Sequence, residues 1–155
     1  MRLTRQSNYA VRTLVYCAVN APSLSRVGDI AKAHSISELF LFKLIKPLVE
    51  AGIIETVRGR HGGIKLGRPA EDITLLECIR LTEENFALAE CFEGGDANCP
   101  LISNCDLNAA LGEALGAFFS VLESYTIADL AGKRRSIRAR LGLGIEELAR
   151  PEAVN

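Results

Sequence analysis

Five cysteines punctuate this 155-residue chain, and three of them, Cys91, Cys99 and Cys105, lie in one polar stretch with seven and then five residues between them. Thiolates are soft ligands that bind zinc, copper or iron–sulfur clusters, so three of them in a single loop point to metal chemistry. Structural zinc sites usually include a cysteine pair two to four residues apart. That pair is missing here, whereas loops that hold iron–sulfur clusters tolerate wider spacing. Spacing alone favours an iron–sulfur cluster and leaves zinc, redox-active thiols and unliganded cysteines open. The next residue, Asp106, reads as the N-cap of a long helix whose positive end would face the sulfurs and stabilise an anionic group. Cys17 and Cys78 fall on apolar helical faces and read as small buried residues, and His34 as a polar helix residue rather than a ligand. An odd cysteine count and the lack of a secretory leader pattern at the start argue against a disulfide framework and for a cytoplasmic protein.

Charge is segregated along the chain. Residues 1–68 carry eleven Lys or Arg and four Asp or Glu, while residues 69–132 carry one and twelve. Residues 133–155 are basic again, with six against three. A basic first half joined to an acidic middle suggests that the first half meets a polyanion.

The periodicity supplies the elements that would present those charges. Tyr9, Ala10, Thr13, Leu14, Cys17 and Ala18 recur at helical spacing and predict a helix over residues 4–20. A second short helix buries Val27, Ile30 and Ala31. Ser35 and Glu38 stand in the relation of a capping box, and a third helix is expected from about Ser37 to Ala51, stopping at Gly52 and disturbed at Pro47. The period then changes to two: residues 53–58 and 64–66 read as strands around a glycine-rich tip, Gly59-Arg60-His61-Gly62-Gly63. Three helices and a basic hairpin make the winged helix-turn-helix layout. A short helix with Leu75, Leu76, Ile79 and Leu81 follows, then the cysteine loop. Last comes a long helix whose stripe of Leu107, Leu111, Ala114, Leu115, Phe118, Leu122 and Tyr125 has too little other chain to cover it. That stripe predicts packing on a second copy.

The expected architecture is mostly α with a small β wing. It divides into a winged helix-turn-helix over 1–68, a connector helix and cysteine loop over 69–106, a dimerisation helix over 107–131 and a basic tail over 132–155. In such a fold the third helix enters the major groove and the wing reaches the backbone or minor groove of double-stranded DNA. Leu41, Leu44, Ile45 and Leu48 share the core face of that helix. Ser37, Leu39, Phe42, Lys43 and Lys46 are left near the groove, with the lysines for phosphates and the apolar pair either for thymine methyl groups or for more core. Arg58, Arg60 and His61, with Gly62 allowing close approach, suit a narrow minor groove, and Arg2 and Arg5 add phosphate contacts at the start of the first helix. Two such units a helical turn apart would require a palindromic operator.

The opening Met1-Arg-Leu-Thr, Asn8-Tyr-Ala-Val, the wing Val57-Arg-Gly-Arg-His-Gly-Gly and the three-cysteine loop together resemble the Rrf-type family of iron–sulfur repressors. Ser37-Glu-Leu-Phe-Leu-Phe-Lys, Ala89-Glu-Cys-Phe-Glu and Cys99-Pro-Leu are most similar to its rhizobial iron regulators. The likeness covers roughly residues 1–131. It implies a homodimer with one cluster per subunit, [4Fe-4S], that represses iron-uptake genes when iron is plentiful. The family's known fourth-ligand positions fall on Asn8 and Asn108, which match neither its acidic nor its histidine ligand. That leaves the fourth iron to solvent, a small thiol or Asn8 of the other subunit. Cluster binding is expected to order residues 91–105 and set the separation of the two recognition helices. A nitric-oxide- or redox-sensing repressor and a zinc-stabilised interaction module are the competing readings. No Cys-x-x-Cys pair, phosphate loop or catalytic constellation supports an enzyme or a small-molecule substrate, and no apolar run is long enough to span a membrane.

Overall fold

Thr4 opens helix α1 (Arg5–Asn20) by accepting the Ser7 amide on its hydroxyl, and the face carrying Ala10, Thr13, Leu14 and Cys17 is buried as the periodicity requires. The computed structural model describes residues 2–92, 99–100 and 105–144. Helix α2 (Val27–His34) turns Ile30 and Ala31 inward and ends at Ser35, which adopts a left-handed conformation (φ 53°) and returns its N–H to Ala31 and Lys32. Ser37 then caps α3 (Glu38–Glu50), accepting from the Phe40 amide at 3.2 Å. The expected Ser35–Glu38 box therefore does not form, because Ser35 is committed to ending the preceding helix. Pro47 sits inside α3 without stopping it. Leu41, Leu44, Ile45 and Leu48 are all buried.

Gly52, at φ 71°, releases the chain into β1 (Ile54–Val57), which pairs antiparallel with β2 (Gly63–Leu66) so that Ile54 faces Leu66 and Val57 faces Gly63. Two backbone bonds of 2.8 and 2.9 Å between Ser25 and Ile64 fasten this wing to the segment before α2. The tip closes with the Gly62 N–H on the Gly59 carbonyl at 2.9 Å; a Cβ on Gly62 would lie 2.3 Å from the Val57 carbonyl oxygen, so only glycine fits.

After a 3-10 turn at Ala70–Asp72 come α4 (Leu75–Arg80) and a second 3-10 turn at Glu90–Phe92, then α5 (Asp106–Glu123), α6 (Ile127–Ala131) and α7 (Arg134–Arg140). Helix α1 is the hub: α3, β2, α4, α6 and α7 all pack on it. Its core joins Leu14, Ile30, Leu41, Leu48 and Ile53 to Ile73 and Ile127 from the later segments. The basic segment after residue 132 contributes as well. Arg138 is buried and donates to the Val19 carbonyl at 2.8 Å and the Leu143 carbonyl at 2.9 Å, while Leu141 and Leu143 pack against the core. A guanidinium so placed satisfies carbonyls that helix ends leave open.

Helix α5 differs from expectation at both ends. Cys105, not Asp106, is its N-cap, and the Cys105 sulfur accepts the Asn108 amide at 3.4 Å. It stops at Glu123, short of Ala131, because Thr126 and Asp129 form a capping box that starts α6, so Tyr125 lies outside it. Along its 18 residues only Leu122 is buried, in a small cluster with Leu76 and Ile79 beside Phe86, Phe118 and Phe119. Leu107 and Val121 are 65% and 56% exposed. Among the described residues no helix is long and apolar enough to cross a membrane.

Candidate nucleic-acid interface and cysteine cleft

On the outer face of α3, Leu39 is 77% and Phe42 54% exposed, which removes both from the core and decides the question the sequence left open. Ser37, Lys43 and Lys46 are exposed beside them. Lys46 lies 3.8 Å from Glu50 in a solvated pair too weak to hold it back from a phosphate. Glu38 is drawn aside: its carboxylate lies over the first turn of α2, close enough that a Cβ on Gly28 would come within 3.1 Å of it. The outward surface of α3 thus offers a hydroxyl, two apolar side chains and two ammonium groups.

Arg58, Arg60 and His61 stand exposed on the wing around the half-buried Gly62, and Arg2 and Arg5 are exposed at the start of α1. Arg12 joins them. It and Arg5 lie over the Tyr9 ring at 5.3 and 5.8 Å, and Tyr9 in turn meets Phe40 of α3 edge to face at 5.9 Å between centroids. Sequence reasoning missed Arg12, although its spacing of seven from Arg5 on one helix was an available signal.

Cys91, Cys99 and Cys105 line one cleft of about 440 Å³, with Ala89, Leu107 and Leu111 as apolar wall and Glu90 and Asn108 as the polar groups. No set of three His, Cys, Asp or Glu side chains among the described residues is gathered tightly enough to hold a single metal ion. Residues 93–98 and 101–104, on which the expected ordering of the loop partly falls, lie outside the described residues. Asn108 is in the cleft; Asn8, exposed on α1, is not among its lining residues. The other two cysteines are structural. Burial pushes the thiols of Cys17 and Cys78 up to about 12, so neither supplies a thiolate at neutral pH. His34 packs edge-on to Tyr16, and burial followed by the Arg12 charge lowers its pKa, which keeps the imidazole neutral.

A groove-sized helix following a tight turn, a glycine-tipped basic hairpin and a cluster of basic residues on the helix beside them define a winged helix-turn-helix DNA-binding protein. The chain belongs to the Rrf2 family, described as iron-dependent transcriptional regulators, which it matches over residues 3–133. It is 57% identical over 152 residues to protein aau3 of Rhizobium meliloti, covering 98% of this chain and 97% of that one. To the HTH-type transcriptional regulator NsrR of Geobacillus kaustophilus it is 44% identical, over 91% and 97% of the two chains. Among solved structures it is similar to the oxidized form of Staphylococcus aureus CymR, with a TM-score of 0.68 and 26% identity over 84% of this chain and 96% of that one. It is therefore a DNA-binding transcriptional repressor and not an enzyme.

Proposed function

We propose that this chain is an iron-responsive repressor that binds palindromic operator DNA as a homodimer, its affinity set by one [4Fe-4S] cluster per subunit on Cys91, Cys99 and Cys105. The observation that carries the reading is the opening of all three thiols onto one cleft at the start of a helix whose apolar face is uncovered. Three soft thiolates in one cleft, with no cysteine pair at the close spacing that structural zinc sites use, suit a cluster better than a zinc ion. When bound, the cluster supplies a centre that iron supply or oxygen can build or dismantle.

The residues around it have separable tasks. Cys91 and Cys99 would hold the connector side, and Cys105 would tie the group to α5 because its sulfur is also the helix cap. Leu107 and Leu111 keep one wall apolar, and the N-terminal end of α5 favours negative charge. The exposed face of α5, with Leu107, Ala114 and Val121 seven residues apart, suits a second copy of itself. Because Cys105 both lines the cleft and caps α5, filling that cleft would couple to the placement of α5 against the winged module, and through it to the separation of the two recognition helices.

The test is anaerobic purification followed by visible spectroscopy, iron and sulfide analysis and gel shift, with each of the three cysteines replaced in turn by alanine. The expected outcome is a brown, sulfide-containing wild type that binds DNA more tightly than its apo form, and colourless variants. A colourless, sulfide-free wild type after iron and sulfide are supplied would sink the cluster, and bound zinc without colour would favour the zinc-stabilised module instead.

A further inference from the structure

Helix α1 has no acidic residue in its own first turn, yet a carboxylate is there. Glu83 Oε1 accepts the Thr4 backbone N–H at 2.7 Å and the Thr4 hydroxyl at 3.0 Å, and it also accepts the Ser7 hydroxyl. Beside it the Ser7 and Thr82 hydroxyls share a buried hydrogen bond of 2.8 Å, and the Thr82 hydroxyl is within 3.1 Å of the Cys78 carbonyl. The contacts of Thr4 and Ser7 with Thr82 and Glu83 bridge more than 70 positions of sequence, so they are tertiary and not part of a local cap. They join the end of α4, on the path to Cys91, to the end of α1 from which Arg2 and Arg5 project.

We propose that Glu83 is a positioning residue for DNA binding: by holding the first turn of α1 it keeps Arg2 and Arg5 set for phosphates. The proposal rests on the reading of those two arginines as phosphate contacts. The physical case turns on sign. A bare carboxylate close to DNA repels phosphate, so simple Coulomb reasoning says its removal tightens binding. Here its charge is met by three donors and a helix N-terminus. What it supplies instead is order in the chain preceding α1, a segment that otherwise frays and must pay its entropy on binding.

The experiment titrates full-length protein into a labelled, random-sequence duplex by fluorescence anisotropy over a series of salt concentrations, since phosphate contacts do not depend on sequence. Glu83→Gln and Glu83→Ala are expected to weaken binding about fivefold at low salt, the size of a lost helix cap. Both also flatten the salt dependence, as Arg2→Ala with Arg5→Ala does, and adding Glu83→Ala to that pair changes nothing further. Binding that is tighter or unchanged, with the wild-type salt slope retained, overturns the proposal even if the thermal midpoint falls, because Glu83 is then a structural cap only. If the arginine pair itself leaves the slope untouched, the phosphate reading fails and takes this proposal with it. An arginine effect beside an inert Glu83 overturns the proposal alone.

Discussion

The winged module and helix α5 dispose of their apolar residues in opposite ways. Around α1 the chain closes on itself: Leu14, Leu41, Leu48 and Ile127 are fully buried, and residues from both ends of the sequence meet in one core. Helix α5 is as apolar, yet buries only Leu122 and turns Leu107 and Val121 to solvent. One region is complete in a single copy, whereas the other leaves an apolar surface uncovered, the one on which the proposed second copy would pack. Burial in one copy thus separates the apolar residues the chain uses to close its own core from those it leaves at the surface.

That contrast can be broken by mutation. Leu48→Ala or Leu14→Ala should cost about 2–5 kcal/mol in denaturant unfolding, since each leaves a cavity in a closed core. Arg138→Ala should cost about 2–3 kcal/mol by the same measurement, because it leaves buried carbonyls without their donor. In α5 the expectation reverses. Leu107→Glu with Val121→Glu should shift monomer stability by no more than about 0.5 kcal/mol. Self-association should weaken roughly tenfold or more in sedimentation. A large loss of monomer stability there would mean that α5 folds back on its own chain and would erase the distinction. The smallest effect is a null one: in the native protein, alkylation in mildly alkaline solution followed by mass spectrometry should leave Cys17 and Cys78 unmodified, because burial holds both thiols at about 12.

Much of this arrangement was legible in the residues because its signals are local. The core face of α3, the two strands and the glycine tip each follow from periodicity and turn chemistry within a dozen positions. What escaped was either a choice between near-equal local signals or a contact across the chain. Ser35 and Ser37 are both competent caps, and only the left-handed turn at Ser35 assigns the role to Ser37. Asp106 is the better intrinsic cap, but Cys105 occupies that position and its sulfur takes the amide. Glu83 on Thr4 and Arg138 on Val19 involve partners far apart in sequence, for which no spacing rule exists. The cysteine triad was visible by type and spacing, while the shared cleft needed the fold to bring Cys91 to the start of α5.

Helix α7, whose Arg138 reaches the last turn of α1, has a consequence for synthesis. The module that reads DNA is assembled from the first and nearly the last residues of the described chain, so it cannot finish folding on the ribosome while its C-terminal segment is still inside the exit tunnel. A chain cut short before α7 would carry its recognition helix and wing on an α1 whose last turn lacks the Arg138 donor, so completion of the reading module waits on a segment translated long after the module's own helices.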